Sequence, residues 1–349
     1  MKNEEGFDNE QDLYGFNKVI FHPLFNKTIS ELNELNIKLP TYPVSSEMDF
    51  NLYNYPSSGK LVSSIEEFKS YKLYPERGEE LLSKTGILGY DESINKFIGL
   101  EGTAFLTSHS LVLHDEDDYL SSNFLTFYFY TRSKVYANRT NIRYSQDPET
   151  DSKKDYIKDR TKFIVNNTPK NSIIFIDGPL IGGQISNYTV KLNNELLKKN
   201  VIPVFFVKNS RSNLITEHIK DLKGKYNSDM HWSYKFLKKG ERTSFFKYED
   251  QYNPCNAKLF CYLKTFDISP QRIEFHIDVF KKYGNIMLEI MNLIYYLMLV
   301  QGNLKNPQIR PIAIAEMYAR ETLKLINLNK LMNELGIMST LNQERFGWG

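Results

Sequence analysis

The residues most able to do chemistry in this chain close an apolar run: Ser172-Ile-Ile-Phe-Ile-Asp177, followed by Gly178-Pro179-Leu180. Four uncharged β-branched or aromatic residues in a row read as a strand buried on both faces. Gly-Pro then stops the strand and turns the chain. An unpaired charge is costly inside a dry sheet, so an acid ending such a strand faces a cleft, a metal or a cation, unless it simply starts the turn. Phe97-Ile-Gly-Leu-Glu101-Gly102 has a similar form, an apolar stretch ending in acid-Gly. Two strands each bringing a carboxylate to one sheet edge would begin a divalent-metal site.

The surrounding pattern supplies the elements that would hold these acids. Phe97–Leu106, Ser110–Leu113 and Phe124–Thr131 read as three strands of an antiparallel meander. A polar stretch, Asn138 to Lys154, reads as a loop, and Asp155 to Val165 has helical spacing. After the Asp177 strand come a helix (Val190–Lys199), a strand (Ile202–Val207) and a helix (Leu214–Leu222), a β-α-β-α run that predicts parallel strands. Strands at Thr243–Tyr248, Lys258–Thr265 and Arg272–Phe280 precede helices near 285–301 and 312–334. A meander, a helix and a parallel pair, in that order, predict an α/β chain: a ribonuclease-H-like mixed sheet flanked by helices. Residues 1–90 read as an N-terminal accessory region, with helical spacing from Asn17 to Leu35, a break at Leu39–Pro43, a turn at Ser57–Gly59 and a short helix from Ser64. Residues 91–349 read as a second domain that holds this sheet.

Several collinear stretches resemble the NurA nucleases, partners of the HerA hexameric ATPase. Ile176-Asp177-Gly178-Pro179-Leu180 is similar to that family's central Asp-Gly-(Ser/Pro)-Leu strand. Phe206-Val207-Lys208, with Arg211 and Leu214 beyond it, resembles the next strand and its Lys and Ser/Arg cluster. Asp229 and Gly240-Glu241-Arg242-Thr243 through Phe246, then Cys261–Lys264 and Arg272–Phe275, follow in the family's order. Pro311 to Ala319 resembles its terminal Pro-x-x-x-Ala-His-x-x-Ala helix. The resemblance spans roughly residues 96 to 335 and departs from the family at the chemistry. Glu101-Gly102-Thr103 stands where the first strand carries Asp-Gly-Ser, the family's His falls on Glu316, and its upstream Tyr on Gln308. The helix acid falls on Asp159, with Asp155 as a rival.

The resemblance therefore implies Glu101, Asp159, Asp177 and Glu316 as catalytic metal ligands. All are oxygen donors, which suit Mg²⁺ or Mn²⁺. Two ions about 3.5–4 Å apart would activate the nucleophile and stabilise the leaving alkoxide of a phosphodiester. Lys208, Arg211, Arg242, Lys264 and Arg272 recur at strand ends and are expected to contact DNA phosphates, which position a strand without reading sequence. The implied protein is a metal-dependent DNA nuclease, a homodimer working with a HerA-type ATPase in DNA end processing or antiviral defence. Two alternatives stay open: a catalytically silent DNA-binding scaffold of such a complex, and a metal hydrolase of small phosphate esters.

Composition narrows the field. Lys+Arg 44 against Asp+Glu 42 leaves a formal charge of only +2, so nucleic-acid binding must come from a local patch. Cys255 and Cys261 have no second pair, which gives no zinc ribbon or disulfide framework and predicts a reducing compartment. The polar N-terminus has no signal-peptide core, and the Ile286–Val300 stretch, with Glu289 and Asn292, reads as a buried helix. The expectation is a cytoplasmic protein without a membrane span. His114 to Asp118 reads as a solvated turn, and Gly182-Gly183 lacks the Lys-Ser/Thr of a phosphate loop.

Overall fold

The computed structural model describes residues 24–35, 60–115, 118–134, 141–181, 186–217, 219, 221–304 and 307–340. The break at 39–43, the turn at 57–59, residues 116–117, the start of the 138–154 loop and 182–183 lie outside the described residues. The chain divides into two compact units, residues 1–43 and 44–349. In the first, α1 (Leu24–Glu34) lies within the helix expected from its spacing, and Leu24, Leu32 and Leu35 are exposed.

The second unit holds one mixed sheet. It contains β1 (Lys60–Ser64), β2 (Tyr71–Lys72), β3 (Gly86–Ile98), β4 (Thr103–Asp115), β5 (Asp118–Thr131), β6 (Ile142–Tyr144), β7 (Ser172–Asp177) and β8 (Ile202–Val207). β9 (Glu241–Arg242), β10 (Phe246–Asp250), β11 (Lys258–Lys264) and β12 (Gln271–His276) complete it. The order is β1-β10-β11-β12-β8-β7-β3-β4-β5-β6, with β9 joining β2 to β11. β3, β4 and β5 form the antiparallel meander, and β7 pairs parallel to both β3 and β8. This is the ribonuclease-H-like arrangement. The meander strands are longer than expected: the expected first strand, Phe97–Leu106, is the β3–β4 hairpin end. The region set apart at residues 1–90 also enters the sheet, because β1 pairs β10 and β2 pairs β9, so a boundary at 90 falls inside β3.

Helices cover both faces, as the all-apolar strands demand. α2 (Pro75–Leu82), α6 (Ile277–Tyr283), α7 (Met287–Gln301) and α8 (Arg310–Lys324), with α9 (Leu328–Glu334) beyond it, contribute to one side. There Ile87, Phe175, Phe206 and Ile273 pack against Ile290, Leu293, Ile294 and Ile312. α3 (Pro148–Asn167) and α4 (Ser186–Lys198) contribute to the other, where Leu88, Tyr90, Ile174 and Ile176 meet Ile164, Leu192 and Leu196. α5 (Asp229–Phe236) seats Trp232 on Phe246 and Phe260. Ile277–Gln301 is the one run among the described residues long and apolar enough to cross a membrane, yet α7 sinks Leu293 and Leu297 fully into the core. Among the described residues, 214–217 and 221–222 are turns instead of the helix expected at 214–222, and the helix expected from Ser64 is the end of β1 followed by bends. In the first case the buried carboxylate of Asp229 accepts the N–H groups of Ile215 and Thr216.

Side-chain alternation decides what each face receives. Ile173, Phe175 and Asp177 share the α8 face with Ile87 and Gly89, whereas Tyr90 joins the α3 face. Gly89 is the point where α8 meets the sheet, since a Cβ there would stand 2.3 Å from the Pro311 carbonyl carbon and 2.5 Å from the Ile312 nitrogen. On the α3 face, His109 of β4 is completely buried and shares a 2.7 Å hydrogen bond with the Tyr90 hydroxyl through Nδ1. Burial, helped by the Arg160 charge, pushes its imidazole down to about 3.

Two outcomes follow from this packing. Gly89→Ala forces α8 off β3 and is expected to cost about 1–3 kcal/mol, read as a lowered urea midpoint. His109 stays neutral in the folded chain, while the unfolded chain takes up a proton near pH 6.5. Stability is therefore full above about pH 6.5 and falls as pH drops toward 3, by up to about 1.4 kcal/mol per pH unit. In His109→Phe, urea midpoints measured across that range should lose this component of the slope.

Candidate active site

Four side chains converge where β7 ends. Asp177 is the last residue of β7, and Gly178 behind it adopts a φ of +102°, a conformation that glycine takes without strain. Lys208, one residue past β8, places Nζ 2.8 Å from Asp177 Oδ2 and 3.2 Å from Glu316 Oε2 of α8. Gln308 donates to the same Glu316 oxygen at 3.4 Å, and Arg320, one turn along α8, pairs with its other oxygen. The fourth group is Asp91. The parallel β3–β7 ladder pairs Tyr90 with Ile176, so Asp91 comes next to Asp177 at the same level of the sheet.

Charge governs this notch. Asp91 is 8% exposed and accepts a 2.8 Å hydrogen bond from the Glu92 N–H. Burial first, then the Asp177 and Glu92 charges, push its carboxyl up to about 8. Burial works against the Lys208 ammonium, but Asp177, Asp91 and Glu316 outweigh it and raise its pKa. Burial likewise opposes ionisation of Glu316, yet Lys208, Gln308 and Arg320 hold its carboxyl below the usual range. Among the described residues, no three His, Cys, Asp or Glu side chains stand in ready metal-binding geometry.

A second, drier charge cluster braces the loops that carry the notch. Glu274 of β12 is fully buried, accepts from Lys258 Nζ at 2.6 Å and the Leu180 N–H at 2.9 Å, and forms an ion pair with Arg272 whose Nε lies 2.7 Å away. The Leu180 bond anchors the turn that follows Asp177. Arg272 also donates to the hydroxyls of Ser210 and Ser212, anchoring the loop that follows Lys208. Burial opposes the Glu274 charge, but Lys258 and Arg272 hold its carboxyl below its ordinary range.

Of the acids the sequence singled out, Asp177 and Glu316 are brought together and the others are not. Glu101 lies in the β3–β4 turn, exposed, accepting from the Met338 N–H at 3.2 Å. β3 runs seven residues past Asp91 to Ile98, so Glu101 stands at least roughly 20 Å along the strand from the notch, at ~3.3 Å per residue. Asp159 and Asp155 face β5 from α3, where they accept 2.7 Å hydrogen bonds from Tyr128 and Tyr130, and Arg143 pairs with Asp155. They belong to the layer on the other side of the sheet from Asp177. Asp91 was missed. Its signal was Ile87-Leu88-Gly-Tyr90-Asp91, again an apolar run ending in an acid, but placed in the middle of a long strand.

The basic residues divide in the same way. Arg211 is exposed, and Lys208 is in the notch. Arg242 is buried, paired with both oxygens of Glu66 and stacked on Tyr71 and Phe245 at 4.4 and 4.3 Å. Lys264 is buried too, its Nζ 3.9 Å from the Tyr234 ring centre and 3.1 Å from Asp267. Arg272 is held by Glu274. Strand ends in this sheet turn inward at these three positions, which removes their side chains from a phosphate surface.

A family model described as NurA domain matches residues 57–320. No curated protein matches the chain. Among solved structures, the NurA nuclease from Sulfolobus solfataricus is 14% identical, with 76% of this chain and 88% of that chain covered and a TM-score of 0.48. Endonuclease V from Ciona intestinalis, bound to an inosine-containing 24mer DNA, is 13% identical, with 72% and 95% covered and a TM-score of 0.37. A NurA structure with manganese is 8% identical, with 72% and 89% covered and a TM-score of 0.35.

Proposed function

The chain belongs to the NurA family, and from that premise we propose that it is a divalent-metal-dependent DNA nuclease centred on Asp91, Asp177 and Glu316. The observation that carries the reading is the crowding of these carboxylates around one notch, where burial and the charge of Asp177 leave Asp91 short of positive charge. Such a donor set fits a hard cation, because Mg²⁺ and Mn²⁺ prefer carboxylate oxygens. When bound, the ion supplies Lewis-acid polarisation of a phosphodiester and a nucleophile at neutral pH.

The chain's own residues do the rest. Asp177 and Asp91 come from adjacent strands whose backbones are locked in the ladder, so their spacing is preset. Glu316 is aimed at them by the seat of α8 on Gly89. Lys208 neutralises Asp177 and Glu316 and stands ready as a cation for a phosphate oxygen entering the notch. Family membership supports the wider proposal of a homodimer acting on DNA with a HerA-type hexameric ATPase.

A second reading is favoured by Lys208 itself. An ammonium already bridging Asp177 and Glu316 satisfies them without a metal, as in a catalytically silent DNA-binding subunit.

Cleavage of linear DNA by the purified protein with Mn²⁺, Mg²⁺ or a chelator separates the two. The nuclease reading expects cleavage with metal, none with chelator, and a loss of at least about 100-fold in Asp177→Asn and Asp91→Asn. Glu101→Gln is expected to keep full activity. Cleavage undiminished in Asp177→Asn refutes the assignment. Absence of both cleavage and Asp177-dependent Mn²⁺ uptake by calorimetry selects the silent subunit.

A further inference from the structure

Glu92 follows Asp91 on β3 and turns to the opposite face of the sheet, toward Tyr156 of α3. Strand β7 pairs with β3 only as far as Tyr90, opposite Ile176, whereas β3 runs on to Ile98. From Asp91 onward, the β7 side of β3 therefore has no strand beside it among the described residues. Asp177 stands at the mouth of that gap, which opens through both faces of the sheet. Glu92 is the first residue of the α3 face beyond Tyr90. It borders from the α3 side the notch that Asp91 and Asp177 border from the α8 side.

The surroundings leave this carboxylate with an idle oxygen. Its Oε1 accepts from the Tyr156 hydroxyl at 3.4 Å, and its Oε2 is buried without a hydrogen-bond partner. Arg160, one turn beyond Tyr156, is buried and donates to the Thr189 hydroxyl at 3.0 Å instead of to Glu92. His109, the cross-strand neighbour of Glu92, stays neutral and shares its Nδ1 with Tyr90. Burial pushes the Glu92 carboxyl up; the Arg160 charge opposes this, and the Asp177 charge across the gap adds to it. A buried carboxylate oxygen without a donor is expensive, and a native chain keeps one where it has a task. Asp177 and Glu316 already share Lys208, and Asp91 accepts the Glu92 N–H. Glu92 Oε2 can turn to a cation without giving up any hydrogen bond, and hard divalent ions take carboxylate oxygens. The helix brings no acid of its own to this place, because Asp155 and Asp159 are engaged at β5.

We infer that Glu92 is a fourth carboxylate of the metal site, offering Oε2 to the Asp91–Asp177 notch from the α3 side, with Tyr156 and Arg160 holding it in place. The inference rests on the nuclease reading and completes its donor set. It also gives the buried Arg160 a purpose: its charge keeps Glu92 closer to the ionised form that a metal requires, without capturing the oxygen.

The test is calorimetric titration of the full chain with Mn²⁺ alone, with water-proton relaxation as a second readout. Glu92→Gln should weaken Mn²⁺ uptake at least about 10-fold. Relaxation per bound Mn²⁺ should rise, because a water takes the position of the lost oxygen. Asp159→Asn should bind Mn²⁺ as the wild type does. Where Glu92→Gln fails to fold beside an unpaired Arg160, the double variant Glu92→Gln/Arg160→Met removes both charges, which a buried site tolerates better than the loss of one. It is expected to show the same weakened uptake. Wild-type Mn²⁺ affinity in the folded Glu92 variant overturns the inference and leaves Glu92 as a counter-charge for Arg160. Weakened uptake with unchanged relaxation overturns it too, and assigns Glu92 to positioning Asp91. In both cases, loss of uptake in Asp177→Asn keeps the metal reading alive. Uptake undiminished in Asp177→Asn, or a wild-type chain that takes up no Mn²⁺, overturns both.

Discussion

Like-charged carboxylates repel, and burial strengthens the repulsion by thinning the screening water. Asp91, Asp177 and Glu316 nevertheless occupy one notch, with Lys208 between two of them. The backbone imposes this crowding. Asp91 and Asp177 are ladder neighbours that cannot separate without breaking the β3–β7 pairing. Glu316 is brought to them by α8, whose first turn lies against Gly89. Positive charge is the remaining way to relieve the repulsion, and the lysine supplies it.

The supports around the notch are chosen accordingly. The loops after β7 and β8 are irregular backbone, which on its own would fluctuate. Both are tied to Glu274, through the Leu180 N–H and through Arg272 with its two serines. A buried carboxylate holding two cations is poor value as a source of stability, since desolvation consumes much of the attraction. As a clamp it is effective, because the charged hydrogen bonds fix direction as well as distance.

Much of this architecture was legible in the sequence. The Asp177 strand announced itself because apolar residues run without interruption to the acid and the Gly-Pro turn, and the β-α-β run gave the parallel pair. The motif resemblance placed Glu316 on α8. Asp91 escaped for a geometric reason. An acid at a strand end stands out from its apolar run, but β3 outlasts its partner β7 by seven residues, so the acid level with Asp177 lies mid-strand and the turn beyond the strand end carries Glu101. The α3 start was hidden by polar residues, although Asp147 caps it and Pro148 opens it. Arg242 looked like a phosphate ligand because its partner, Glu66, lies 176 residues upstream, in the region set aside as accessory. Pairings at that separation leave no local trace.

The chain order of the notch has a temporal meaning. Asp91 and Asp177 are synthesised well before Glu316, and Glu316 reaches them only once α8 has docked. A protein still on the ribosome therefore carries two acids without the third, and a copy cut before residue 310 is left in the same state. The three-acid notch is therefore complete only once α8 has been made and docked.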